Sequence, residues 1–114
     1  MKARNQRVSG RAKGSRVVTG IAWYRAEQWP QLLEVAADRT ELERTYDEWQ
    51  AVAKTALVDV ARAGVSARKV EVDVNELVAW CHSQGRPVDA AARSAFAALK
   101  LRQAEKEQQK RTNV

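Results

Sequence analysis

The chain has one cysteine, Cys81, among 114 residues. An intramolecular disulfide is therefore impossible, as is a zinc site made of several thiolates from one chain. A single unpaired thiol suits a reducing compartment, so a cytoplasmic location is the expectation. The one histidine, His82, has no partner at metal-ligand spacing. Apolar runs are only a few residues long. None reaches the length of a membrane-spanning helix, and none follows the basic N-terminus as a signal-peptide core would. There is no dinucleotide fingerprint, phosphate loop, nucleophile elbow or zinc-protease motif. No catalytic residue, cofactor or metal ligand is assigned from the sequence, and the reading leans away from an enzyme.

Acidic residues are missing from residues 1–20, which carry Lys2, Arg4, Arg7, Arg11, Lys13 and Arg16. Residues 21–114 carry 14 basic and 14 acidic side chains, so the net charge of +6 lies wholly in the N-terminal segment. Residues 1–16 also offer little to bury, which predicts a disordered basic tail. Residues 17–101 read as one folded domain and residues 102–114 as a charged C-terminal extension. Six cations spaced along a tail suit phosphate groups, through counterion release that is indifferent to sequence. A solubilising leader without a partner and a segment attracted to anionic lipid are the competing readings.

The run from Arg16 to Tyr24 is β-branched and aromatic, and part of it predicts a short strand. Trp29, Leu32, Leu33 and Ala36 share one helical face, and Pro30 is tolerated in the first turn of a helix starting near Ala26. Thr40-Glu41-Leu42-Glu43 has the form of a capping box. Behind it Leu42, Tyr46, Trp49, Ala53, Ala56, Val60 and Ala63 form a stripe ending at Gly64. This predicts a helix of about 23 residues, about 35 Å long. Strict alternation from Lys69 to Val74 predicts a second strand. Asp73 or Asn75 is positioned to cap a further helix ended by Gly85, and Asp89 to cap the last one. The expectation is an α+β fold, mostly α. Its order is β-α-α-β-α-α, with a small two-stranded sheet covered by helices.

Cys81 falls on the apolar face of its helix and reads as buried and inert. Glu71 and Asp73 share the outward face of the second strand as a small acidic ridge, which reads first as a solvated strand face and otherwise as a site for a cation or an arginine-rich partner. Trp29, Trp49 and Trp80 sit at or beside apolar faces and read as core. Trp23 and Tyr24 are adjacent on a strand, so one should point outward, where it would stack on a base or anchor a protein partner. Arg25 beside them joins the tail bases as a candidate nucleic-acid contact. The long helical stripe leaves room for a homodimer or another protein partner.

The segments Ile21-Ala22-Trp23-Tyr24-Arg25, Glu27-Gln28-Trp29, Leu32-Leu33-Glu34, Thr45-Tyr46-Asp47-Glu48-Trp49, Val72-Asp73-Val74, Ala79-Trp80-Cys81 and Gly85-Arg86-Pro87-Val88-Asp89 resemble a set of small bacterial proteins without an assigned activity. The resemblance spans residues 21–100. It implies a bacterial cytoplasmic protein and transfers no site. The reading that follows is a non-enzymatic binding or adaptor module whose tail adds attraction to nucleic acid. A nucleic-acid-binding protein proper and an enzyme without a recognisable motif are the alternatives.

Overall fold

A computed structural model describes residues 18–112, and side chains within them up to Lys110. Strand β1 (Val18–Trp23) leads through a 3₁₀ turn, Ala26–Gln28, into helix α1 (Trp29–Val35). A second 3₁₀ turn, Arg39–Glu41, precedes α2 (Tyr46–Arg62), which is followed by β2 (Ser66–Glu71), α3 (Val74–Ser83) and α4 (Ala90–Thr112). The fold is α+β and mostly α, with the expected element order. The two strands pair in parallel, Val18 opposite Ser66 and Trp23 opposite Glu71. Parallel pairing requires the chain to return to its starting end between strands, and α2 makes that return.

Two boundaries differ from the sequence reading. The second strand ends at Glu71, not Val74. After Val72 donates its amide to the Trp23 carbonyl at 2.9 Å, the chain turns into α3. Asp73 caps that helix, its Oδ1 accepting the Glu76 amide at 3.1 Å. The alternation still chose the right side, since Val70, Val72 and Val74 are all buried.

The long helix is also shorter than expected, with 17 residues. Thr40 lies in a 3₁₀ turn and caps nothing. The working cap is Thr45, whose Oγ1 accepts the Glu48 amide at 3.1 Å. Thr-x-x-Glu occurs at both places, and tertiary contacts select the second. The segment before it is pinned by Ala37, whose amide donates to Val88, and by Asp38, whose carboxylate grips Arg93. Leu42 therefore packs on the core from a loop rather than from a helix.

The main core joins Tyr24, Trp29, Leu32, Val72, Val74, Leu77, Cys81, Ala92 and Phe96. Gln28 is the polar member, its Oε1 accepting the Val74 amide at 2.9 Å and satisfying the first turn of α3. A smaller cluster of Val70, Ala97 and Leu101 lies where α4 crosses the sheet. Gly20 makes that crossing possible. A Cβ there would sit 2.9 Å from Val70 Cγ2 and 3.4 Å from both the Ala97 carbonyl and Leu101 Cδ2. Gly64 and Gly85 take positive φ, +85° and +65°, where they end α2 and α3.

Candidate nucleic-acid interface

Lys2, Arg4, Arg7, Arg11, Lys13 and Arg16 lie outside the described residues. Their attachment point does not. Val18, Thr19 and Gly20 line a groove with Ser94, Ala98, Leu101, Arg102 and Glu105 of α4. The tail is therefore rooted where α4 leaves the body of the domain. Leu101 is the last buried residue of that helix, and residues 102–110 are all exposed.

Arg25 is committed elsewhere. Its Nη2 donates to Asp73 at 3.1 Å, its Nε to Glu27 at 3.0 Å and its Nη1 to Glu71 at 3.5 Å. The hydrogen bond to Asp73, then that to Glu27, pushes its pKa further up. The Asp73 carboxyl is held below the ordinary carboxylate range, first by the Glu76 amide and then by Arg25. The acidic ridge thus has its arginine within the same chain, and Arg25 has no charge to spare for a phosphate.

Tyr24 is the inward member of the aromatic pair, 4% exposed, and it cannot reach a partner. Burial raises its phenol to about 12. Trp23 is half-buried, with its face under the Lys69 ammonium at 4.4 Å and its ring edge-on to Trp49 at 5.1 Å. Neither ring is a free stacking platform. Trp49 is the hub of this aromatic cluster, also meeting Tyr24, Trp29 and Tyr46 at 5.3 Å each. The tryptophans at 29 and 49 are thus structural. Trp80 is half-buried against Phe96 at 5.3 Å, with the Arg86 guanidinium over its ring.

Cys81 is buried, 1% exposed, and burial pushes its thiol pKa up, away from the reactive thiolate. His82, next to it, is exposed. No group of three or more histidine, cysteine or carboxylate side chains suited to a metal occurs among the described residues. No helix among them is long and apolar enough to cross a membrane.

Several of the domain's carboxylates are gathered at one end. Glu27, Glu71 and Asp73 gather around Arg25 at the end where both strands finish. Trp49 packs on Trp23 at that end and brings the first turn of α2, with Asp47 and Glu48, alongside. The tail root lies at the opposite end of six-residue strands. That is about 17 Å away at the rise of a β-strand. The Debye length at physiological salt is about 8 Å, so these carboxylates act only weakly on the groove at the tail root.

The sequence marks residues 102–114 only as a charged C-terminal extension. In the structure Arg102, Lys106 and Lys110 recur every four residues on its helix, all exposed. None of them makes an ion pair among the described residues. The four-residue spacing was visible in the sequence, but its position beside the tail root was not. No family model matches the chain, and neither does a curated protein or a solved structure.

Proposed function

We infer that this protein is a non-enzymatic binding module that attaches to nucleic acid through its basic N-terminal tail. The observation that carries this reading is the tail root: Val18 shares a groove with Arg102, at the far end of the sheet from the Arg25 carboxylate cluster. The tail root thus lies away from that carboxylate cluster, with Glu105 the one carboxylate among the residues lining its groove. Six tail cations contribute to a slope of log affinity against log salt of roughly −5 on duplex DNA if all meet phosphates.

The test is a full-length variant with Lys2, Arg4, Arg7, Arg11, Lys13 and Arg16 all changed to glutamine. Its slope should flatten by roughly four to five relative to the unaltered chain, with a large loss of affinity at low salt. An unaltered chain that fails to bind at low salt, or a variant that binds equally well, removes the reading.

A second reading is self-association through α2. Its Val52 and Val58 are the exposed large apolar side chains among the described residues, at 53% and 49%. Val52 lines a shallow groove with Ala51, Thr55, Ala56 and Asp59, small enough to admit a second helix. Light scattering should then give a dimer at high concentration, converted to monomer by Val52→Glu. A monomer throughout the concentration range removes this reading.

A further inference from the structure

We propose that Arg102, Lys106 and Lys110 form a folded phosphate-contact stripe that continues the tail's binding surface onto helix α4. This rests on the reading of the protein as a nucleic-acid binder and names the part of the folded domain that takes part. Three observations carry it.

First, the three cations are available. Residues 102–110 are exposed, and the five ion pairs among the described residues use none of the three. Lys100, two residues before Arg102, is different: its Nζ reaches Glu76 at 3.4 Å and lies over Phe96. The switch from employed to unemployed cations falls where the helix leaves the core at Leu101.

Second, the spacing suits a repeating anion. Four residues of helix advance about 6 Å and drift about 40° around the axis, so the three cations form a shallow spiral about 12 Å long. They begin at Arg102, which lines the groove holding the tail root. Tail and stripe therefore start from one groove, within reach of one phosphate backbone. Glu105 and Glu107 flank the stripe and make it weaker than an all-basic helix.

Third, the extension lacks what other partners need. Ala104 is the only apolar residue among 102–110. A helix lying on a membrane requires an apolar face to insert, and a protein interface requires a buried aromatic or aliphatic anchor. A polyanion requires neither. Moreover, Arg102 with Lys106 and Lys106 with Lys110 are like-charge pairs at i, i+4, which oppose helix formation, while Arg102 with Glu105 and Glu107 with Lys110 at i, i+3 favour it. Phosphates between them would remove that opposition, so binding should also raise helicity.

The test uses the full chain with Arg102, Lys106 and Lys110 changed to glutamine. A control variant changes exposed Arg39, Arg44 and Lys54 to glutamine and so has the same net charge. Probes are a labelled DNA duplex, a labelled RNA hairpin, and vesicles of phosphatidylserine and phosphatidylcholine. Circular dichroism of each free protein checks that the body remains folded. The stripe variant should flatten the salt slope on DNA by roughly two to three, and the control by less than one. Saturating nucleic acid should raise the helical signal of the unaltered chain and not that of the stripe variant. A stronger response to RNA than to DNA keeps the proposal and identifies the polymer. Equal slopes for stripe variant and unaltered chain overturn the stripe, and if the tail variant still loses its slope, the parent reading survives alone. Equal losses in stripe and control variants, or tighter binding to vesicles than to both nucleic acids, also overturn it. Absence of any binding by the unaltered chain overturns both.

Discussion

Replacing Arg93 with methionine should destabilise the domain by about 3–5 kcal/mol, because it leaves the Asp38 carboxylate buried without its partner. The two side chains form a forked pair, Nη1 to Oδ1 at 2.9 Å and Nη2 to Oδ2 at 2.8 Å. They are only 10% and 16% exposed, so solvent screens the pair little. A domain of this size has roughly 5–14 kcal/mol of stability in total, so the loss is a large share. Urea unfolding followed by circular dichroism measures it. The hydrogen bonds from Arg93 hold the Asp38 carboxyl below its ordinary value of 3.8. A depressed carboxyl contributes stability that is fully present above that ordinary value. The contribution is lost as pH falls through the lower folded-state value. The gap between Arg93→Met and the unaltered protein should therefore be wide at neutral pH and narrow in strong acid. A gap independent of pH would mean that Arg93 acts through packing alone. Replacing both partners with apolar residues should recover part of the loss, since no charge is then stranded.

That pair also shows where sequence reasoning stops. Arg93 sits in Ala90-Ala91-Ala92-Arg93-Ser94, a stretch whose only signals are helical propensity and the Asp89 cap. Its partner is 55 residues earlier, in a loop. Nothing local marks either residue as buried, so the contact that fixes the α1–α2 connection against α4 was illegible. The choice between Thr40 and Thr45 was illegible for the same reason. Both have the capping pattern, and the pinned loop at Asp38 decides. Periodic features fared better. Alternation at Val70, Val72 and Val74 identified the buried face even where the strand gave way to a cap. The apolar helical face assigned to Cys81 is the buried side of α3, where it shares the core with Leu77. Of the candidate contacts, Arg25 was chosen for its charge and its aromatic neighbours. Its true environment depends on Glu71 and Asp73, brought beside it by parallel pairing that no local pattern encodes. The stripe at Arg102, Lys106 and Lys110 was legible as spacing, but its significance depends on the groove joining β1 to α4.

Replacing Trp29 with alanine should cost about 3–5 kcal/mol, whereas phenylalanine at the same position should cost far less, about 1–2 kcal/mol. Trp29 is 2% exposed and stacks on Trp49 with centroids 5.3 Å apart and planes 29° from parallel. Tyr24 and Tyr46 close on the same ring at 6.1 and 6.3 Å. Alanine would leave a cavity between α1 and the aromatic cluster, which these rigid rings cannot readily collapse to fill. Phenylalanine retains most of the ring contact. It also removes a liability, because the Trp29 indole Nε1 is buried without a hydrogen-bond partner. A donor stripped of water and given nothing in return carries a desolvation cost, and phenylalanine has no such donor. Denaturant unfolding of both variants gives the two values; equal losses would show that the indole nitrogen and the cavity had been misjudged. The same pair separates folding from binding. Trp29 lies in the main core with Tyr24 and Leu32, whereas the groove that roots the tail is lined by Val18 to Gly20 and α4. Trp29→Phe should therefore bind DNA with the unaltered salt slope while unfolding at lower urea. A slope that falls with stability would tie nucleic-acid contact to the aromatic core rather than to the basic end.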